Sequence, residues 1–426
     1  AYPFEQFDAK YTRADLVLQA MNSEDAGLIS LYKSAYEKTL SKLGLKESDL
    51  ETDLNLPELK ITNLSALPLV TDARKISVTF SASDKNSSLA KIIVWINDVP
   101  IYGKKGMVVS GNSLEKTIEI PLASGMNKIQ IACENTKGTQ SLKQTFEVEC
   151  MTKIKPSLYV VTIGTSLYKD KKYNLNYAAK DAVDIASLLS ADDNDVYAEV
   201  FKLSFTDAQV TSTNIQSINT FLSKSTIDDV VLVFVAGHGV LDNKLDYYYG
   251  THDIDFAKPA LKGLTYEALE AMLDGIAPLK KMMFMDTCHS GEVEKEEIVT
   301  GGEIKKSEKV KFRAVGTGPA LATSSVSPSK VMKELFNDLR RGTGTTVISS
   351  SGGTEFAMES DEWKNGLFTY CLLSGMKNKS ADADGDGNIM LSELQMYVTE
   401  EVAKLSGGSQ VPTTRIQNIS LDYRVW

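Results

Sequence analysis

The fold is decided by two stretches of sequence, VVLVFVAGHG at residues 230–239 and KMMFMDTCHSG at residues 281–291. Each contains an apolar run of strand length and ends in a polar turn that carries glycine. Continuous apolar runs of this length are typical of parallel strands that are buried on both faces. Because polar groups follow both runs directly, the sequence predicts a parallel sheet with a functional site beyond the carboxyl ends of its strands.

Strand-like and helix-like segments alternate around these two stretches. Leu158–Gly164 and Thr345–Ser350 have the composition of buried strands, whereas Asn176–Leu189 and Gly366–Met376 have helical periodicity. The alternation predicts an α/β domain over residues 153–426, with a mostly parallel sheet that helices cover on both faces.

The preceding part of the chain has a different pattern. Residues 56–152 contain short alternating runs such as Lys75–Ser83, separated by turn residues, and this predicts an all-β immunoglobulin-like sandwich. Residues 1–55 include a run of helical periodicity at Ser23–Leu43 and are predicted to be an N-terminal helical segment.

Composition narrows the classes of function. The chain has 426 residues, of which 42% are hydrophobic, so it has enough apolar residues to form a large core. Its net charge of −10 does not favour binding to the phosphate backbone of nucleic acids. No apolar run reaches the length of a membrane span. We therefore expect a soluble protein and leave its compartment open between cytoplasmic and periplasmic or secreted.

The two polar turns supply a thiol and an imidazole. His238 follows the first apolar run, and Cys288 follows the second. A histidine that accepts the thiol proton creates a nucleophilic thiolate, and the backbone N–H groups of Gly239 and Cys288 are candidate donors to an oxyanion. A buried core cysteine and a structural histidine are the alternatives. A phosphatase loop is excluded because Glu294 stands where that loop needs arginine.

At this point the chain resembles the caspase-like cysteine peptidases and is closest to bacterial metacaspase-like (orthocaspase) proteins. The resemblance covers about residues 154–426, and the 50-residue spacing from His238 to Cys288 agrees with it, although the Gln-Ala-Cys signature is absent. The matching segments are Tyr159–Gly164, Leu175–Ala182, Gly237–Gly239, Asp286–Gly291 and Gly366–Thr369. It implies a cysteine endopeptidase in which His238 and Cys288 form the catalytic dyad.

The resemblance also implies an acidic specificity pocket formed by Asp181 and Asp286. Buried carboxylates are costly unless a cation neutralises them, and a substrate arginine can do so through bidentate hydrogen bonds. We therefore expect protein or peptide substrates that are cleaved after Arg or Lys. The alternative for Asp181 is a purely structural role at the start of its helix.

A charged segment follows the cysteine. Residues 292–313 have no apolar period and are expected to form an exposed, mobile loop. Related peptidases process themselves in the corresponding segment. In this chain the segment contains six basic residues: Lys295, Lys305, Lys306, Lys309, Lys311 and Arg313. The segment is either a self-processing loop or an ordinary solvated loop.

Residues 382–393 match the twelve-residue calcium loop of an EF-hand. The pattern predicts a Ca²⁺ site with Gly387 at the sharp turn, and a vestigial acidic turn is the alternative. The predicted ligands are Asp382, Asp384, Asp386, the Asn388 carbonyl and Glu393. No organic cofactor is expected.

Two functions remain open at this stage. The first is a cysteine endopeptidase specific for Arg or Lys, self-processing in the 292–313 loop. The second is a catalytically inactive caspase-fold protein that binds peptides through the same surface.

Overall fold

The structure, a computed structural model, describes residues 13–23, 25–42, 46–50, 56–191, 194–242, 246–287, 310–313, 344–351, 357–415 and 422–426. The N-terminal part contains helices α1 (Ala14–Ala20) and α2 (Ala26–Lys42). Lys38 of α2 forms a 2.6 Å ion pair with Asp246 of the C-terminal half, so the helical segment contacts the α/β part directly.

Residues 58–150 form a β-rich region of two sheets, ordered β1-β3-β7 and β2-β9-β8-β4-β5, with β6 paired to β4. Alternating side chains of β3, among them Val78 and Phe80, are fully buried in a shared apolar core. The strands are β1 (Glu58–Ile61), β2 (Val70–Thr71), β3 (Lys75–Ser83), β4 (Leu89–Ile96), β5 (Val99–Pro100), β6 (Met107–Val108), β7 (Ser113–Pro121), β8 (Gly125–Asn135) and β9 (Gln144–Cys150).

The remainder is an α/β region. Its strands are β10 (Leu158–Gly164), β11 (Val200–Thr206), β12 (Val230–Gly237), β13 (Gly239–Leu241), β14 (Tyr247–Tyr249), β15 (Leu264–Thr265), β16 (Lys280–Thr287), β17 (Val310–Phe312), β18 (Thr345–Ser349), β19 (Met358–Ser360), β20 (Asn365–Gly366) and β21 (Thr413–Arg415). Its helices are α3 (Ala178–Leu189), α4 (Ser212–Ile215), α5 (Ser217–Leu222), α6 (Tyr266–Ala271), α7 (Leu367–Lys377) and α8 (Leu391–Leu405).

The central sheet has the order β11-β10-β12-β16-β18-β21, and all pairs are parallel except β18 with β21. Successive residues of β12 enter opposite cores: Leu232 and Phe234 pack on the side of α3, whereas Val231 and Val233 pack on the side of α5. Burial on both faces explains the uninterrupted apolar runs. The predicted fold class, an α/β sheet domain after a β-rich region, is confirmed.

The β-rich region packs at the amino ends of the central strands. Ile227 and Leu279, which precede β12 and β16, are buried in its core. The Asp228 carboxylate pairs with Arg74 and accepts a 2.7 Å hydrogen bond from the Ser124 N–H. The β-rich region is therefore held at the edge of the sheet opposite the carboxyl ends of its strands.

Some elements differ from the sequence-based expectation. The sequence of Tyr266–Ile276 also predicts a helix, but α6 ends at Ala271, and Gly275, with a φ of +70°, lies in the turn that follows. Strand β11 was not predicted, because it is an edge strand whose side chains are only half-buried or exposed. Edge strands of this kind lack the continuous apolar run that marked their neighbours.

Candidate active site

His238 lies directly after β12, at the carboxyl edge of the sheet, and is 4% exposed. Its backbone N–H donates to the Tyr168 hydroxyl at 2.9 Å, and its Nε2 lies 2.8 Å from the Tyr173 carbonyl. Since a carbonyl only accepts, Nε2 carries the proton. Nδ1 forms no hydrogen bond to any residue that the structure describes. The neutral ring therefore presents an unprotonated nitrogen, as a base requires.

Burial lowers the pKa of His238 below its ordinary value, while the backbone groups of Arg313 and Tyr173 act in the opposite direction. The lowered pKa keeps the imidazole neutral near pH 7.

Gly237 has a role in this geometry, because its φ of +149° is one that other residues rarely adopt. A Cβ here would lie 3.1 Å from the hydroxyls of Tyr168 and Tyr249. Glycine thus lets the chain turn tightly before His238.

Cys288 lies outside the described residues. The residue before it, Thr287, stands opposite Gly237 in the parallel register of β12 and β16. The Thr287 side chain bonds the Tyr247 hydroxyl at 2.8 Å, and its carbonyl accepts from the Ser350 hydroxyl at 3.2 Å. The strand end that leads to Cys288 is therefore fixed beside the strand end that leads to His238.

Three carboxylates meet beside these strand ends and enclose a guanidinium. Asp181, Asp286 and Glu359 are at most 1% exposed, and Arg313 between them is 0% exposed. Arg313 pairs with Asp181 through Nη2, with Asp286 through Nη1 at 3.0 Å, and with Glu359 through Nε at 3.3 Å. The two aspartates expected to form a pocket for a basic side chain are thus brought together, with Arg313 of the same chain between them.

The pocket shows the electrostatic effect of burial. Burial raises the pKa of Asp181 to about 6, with Arg313 opposing the rise and Asp286 adding to it. Burial lowers the pKa of Arg313, but the surrounding carboxylates outweigh this effect and leave that pKa above its ordinary value. The pocket therefore favours a permanently charged cation.

The start of α7 builds one wall of the pocket. The Gly366 N–H donates to Asp181 at 3.1 Å, and the Thr369 hydroxyl donates to Asp286 at 2.6 Å. A Cβ at Gly366 would lie 2.8 Å from Arg313 Nη2, so only glycine leaves space for the guanidinium.

The expectation for residues 292–313 is wrong at its end. Arg313 was expected in an exposed, mobile loop, yet it is fully buried and follows β17, which pairs with β19. The three carboxylates stabilise the buried charge of Arg313, and the guanidinium stabilises their buried charges in turn. The other basic residues proposed for processing, Lys295, Lys305, Lys306 and Lys309, lie outside the described residues, and Lys311 belongs to β17.

The predicted calcium loop lies between α7 and α8. One carboxylate oxygen from each of Asp382, Asp384 and Glu393 lies within 4.8 Å of the others, an arrangement that fits a cation. Asp386 is exposed and accepts a 2.7 Å hydrogen bond from the Asn388 N–H.

Comparison with known proteins was informative for the α/β region. A protein-family model described as Caspase domain matches residues 158–422. The chain belongs to the caspase-domain family. This caspase domain thus starts at β10 and includes His238, Cys288, the three-carboxylate pocket and the acidic loop.

The search of curated proteins found no match. Among solved structures, a Geobacter sulfurreducens protein is 18% identical, with a TM-score of 0.41 over 61% of this chain and 93% of its own. The Drosophila initiator caspase Dronc is 8% identical, with a TM-score of 0.35 over 62% of this chain and 81% of its own. Within the described residues, no helix is both long and apolar enough to cross a bilayer.

Sequence reasoning missed the third carboxylate. Glu359 lies in the short strand β19, in the sequence Ala-Met-Glu-Ser, which has no motif and no periodicity. It also missed Tyr168 and Tyr173, whose contacts to His238 come from a loop far away in the chain. Only the tertiary structure brings these residues to the site.

Proposed function

We propose that the chain is a cysteine endopeptidase that hydrolyses peptide bonds after Arg or Lys, with His238 and Cys288 as the dyad. The observation that carries the proposal is the arginine in the pocket: Arg313 stands where a substrate side chain would lie, between Asp181 and Asp286. The acidic pocket also supports a place in the metacaspase-like branch of the family.

In the proposed reaction, Nδ1 of His238 accepts the proton of the Cys288 thiol. The thiolate adds to the carbonyl carbon after the basic residue, and the N–H groups of Gly239 and Cys288 donate to the oxyanion. The C–N bond then breaks as His238 returns the proton to the departing amine. Water hydrolyses the resulting thioester, which releases the acid and restores the thiol.

Self-processing follows from the same geometry. Because its side chain fills the pocket that we propose for the basic residue of a substrate, Arg313 is the basic residue after which this chain would be cleaved, at the bond to Ala314. We propose this bond as the processing site within the 292–313 loop. Mass spectrometry of the purified chain should show a cut after Arg313 that is absent in Cys288→Ala and in Arg313→Gln.

The activity test uses fluorogenic peptides that end in Arg, Lys or Asp. Wild type should cleave the basic peptides, and Cys288→Ala should cleave none; a preference for Asp would overturn the specificity. An arginyl acyloxymethyl ketone should label wild type and spare Cys288→Ala. Failure to label, together with tight binding of a basic peptide, would instead favour the catalytically inactive peptide-binding protein.

We also propose that the loop at residues 382–393 binds Ca²⁺, with Asp382, Asp384, Asp386, the Asn388 carbonyl and Glu393 as ligands. The convergence of three carboxylates supports this. Isothermal titration with CaCl₂ should give a binding isotherm for wild type and none for Asp384→Ala. Absence of heat in both would refute the site.

A further inference from the structure

The three carboxylates of the pocket contact three different nitrogens of Arg313. Asp181 and Asp286 face the terminal nitrogens Nη2 and Nη1, whereas Glu359 faces Nε at 3.3 Å. Because all three carboxylates are buried, bulk water does not compete for these contacts. The pocket therefore contacts Nε of the guanidinium as well as its two terminal nitrogens.

Glu359 is oriented independently of Arg313. Its Oε1 accepts the Asn176 N–H at 2.7 Å, and its Oε2 accepts the Tyr177 N–H at 3.3 Å. Both donors directly precede α3, where the helix dipole favours a negative charge. The carboxylate is thus held in position before any basic side chain enters.

Lysine cannot make the third contact. Its ammonium stands at about the level of the guanidinium carbon, where it can reach Asp181 and Asp286. The atom that replaces Nε is a methylene carbon, which has no polar hydrogen to donate. A lysine would therefore place a methylene group against the buried Glu359 carboxylate. A site that is built to hydrogen-bond an N–H group strongly disfavours a substrate that lacks it.

We propose that Glu359 is the residue that makes this pocket select arginine over lysine. The inference rests on the proposed peptidase function and adds the preference within its substrate class. Asp181 and Asp286 then provide binding of either cation, whereas Glu359 provides the discrimination between them.

The test compares the peptides Val-Lys-Phe-Arg and Val-Lys-Phe-Lys, which copy residues 310–313 and carry a fluorogenic amide. The measurements keep Arg313 in the chain, because an arginine that competes for the pocket lowers kcat/KM for both peptides by the same factor and cancels in their ratio. The kcat/KM ratio of Arg to Lys should be at least about 100 and should fall at least about tenfold in Glu359→Gln, because the Arg peptide loses more than the Lys peptide. Glu362→Gln is the matched control, because Glu362 is exposed close by in the chain.

A substrate-side measurement covers the case in which Glu359→Gln does not fold. A peptide ending in Nε-methylarginine keeps the charge and both terminal nitrogens but lacks the Nε–H. Wild type should cleave it no better than the Lys peptide. Cleavage equal to that of the Arg peptide would overturn the inference.

The remaining outcomes separate the two proposals. An equal loss on the Arg and Lys peptides in Glu359→Gln, or an unchanged ratio, overturns the selectivity inference and leaves the peptidase function intact. Cleavage of neither basic peptide by the wild-type chain overturns the proposed function itself.

Discussion

The caspase domain contains two groups of three acidic side chains with similar composition and opposite surroundings. Asp181, Asp286 and Glu359 are buried around Arg313, whereas Asp382, Asp384 and Glu393 lie in a half-exposed to exposed loop. In the loop, backbone N–H groups serve as donors: Glu393 accepts from Ala383 at 2.9 Å and from Met390 at 2.8 Å.

The pKa values show the same contrast. Burial raises the pKa of Asp181 to about 6, whereas hydrogen bonds from the Asn388 side chain and backbone lower the pKa of the fully exposed Asp386. Burial makes a carboxylate depend on a cation from the protein or its substrate. Exposure lets water and amides stabilise it without one. A change in the pocket should therefore have a much larger effect than the same change in the loop.

The largest expected effect is on catalysis. Asp181→Asn removes one charge from the guanidinium site while keeping the shape of the side chain. We expect kcat/KM for an Arg peptide to fall about 10²-fold to 10³-fold, since loss of one partner of a buried charge pair costs several kcal/mol. Asp384→Asn, measured in EGTA, is the control and should stay within about twofold of wild type. Equal losses in both variants would contradict the contrast.

The second effect is on stability. In the Cys288→Ala chain, which lacks the proposed nucleophile, Arg313→Met leaves three buried carboxylates without their cation. We expect the free energy of unfolding of the caspase domain to fall by about 3–5 kcal/mol. The variant Arg424→Met, which loses an ion pair with the exposed Asp195 and a hydrogen bond to the Trp426 carbonyl, should cost only about 1 kcal/mol.

Urea denaturation followed by tryptophan fluorescence measures both variants. Agmatine, a small guanidinium compound, should restore part of the loss in Arg313→Met by binding the pocket of the folded state. Identical urea midpoints for Arg313→Met and its parent would show that the buried carboxylates do not require this cation for stability.

These expectations depend on residues that the sequence revealed to different degrees. Asp181 and Asp286 could be assigned from motifs, because each lies in a segment that resembles the family. Arg313 was noticed only as one basic residue among several, and its burial could not be predicted because it depends on three carboxylates from distant segments. Glu359 had no local signal at all.

The fold was more predictable than the site for a physical reason. Strands β10, β12 and β16 are buried on both faces, so each contains a central apolar run that is visible to pattern analysis. The pocket instead depends on short strands such as β19 and β20 and on the start of α7. These elements have too few residues for a period to appear, and only tertiary contacts define them.

The third effect is on pH dependence. The carboxylate of Asp181 must be ionised to bind a cation, and its raised pKa of about 6 means that it is half protonated near that pH. Arg313 lowers this pKa while it occupies the pocket, so a pocket without Arg313 should lose its charge at a higher pH. The inhibition constant of agmatine should therefore rise as the pH falls from 8 to 5, approaching about tenfold per unit below the pKa. In Asp181→Asn this dependence should largely disappear, and a constant value in wild type would contradict the raised pKa.

The smallest expected effect is in the loop. Its carboxylates are already stabilised by amides and solvent, so Ca²⁺ adds stability only through its affinity for the folded loop. At a hundredfold excess over the dissociation constant, this linkage gives about 2.7 kcal/mol, or a few degrees in Tm. Differential scanning calorimetry of the Cys288→Ala chain with CaCl₂ and with EGTA measures it, and Asp384→Ala should abolish the difference. If Ca²⁺ raised the Tm of Asp384→Ala equally, the ion would be binding outside this loop. The contrast between a pocket whose carboxylates bind Arg313 of the same chain and a loop that binds a cation from solution would then be contradicted.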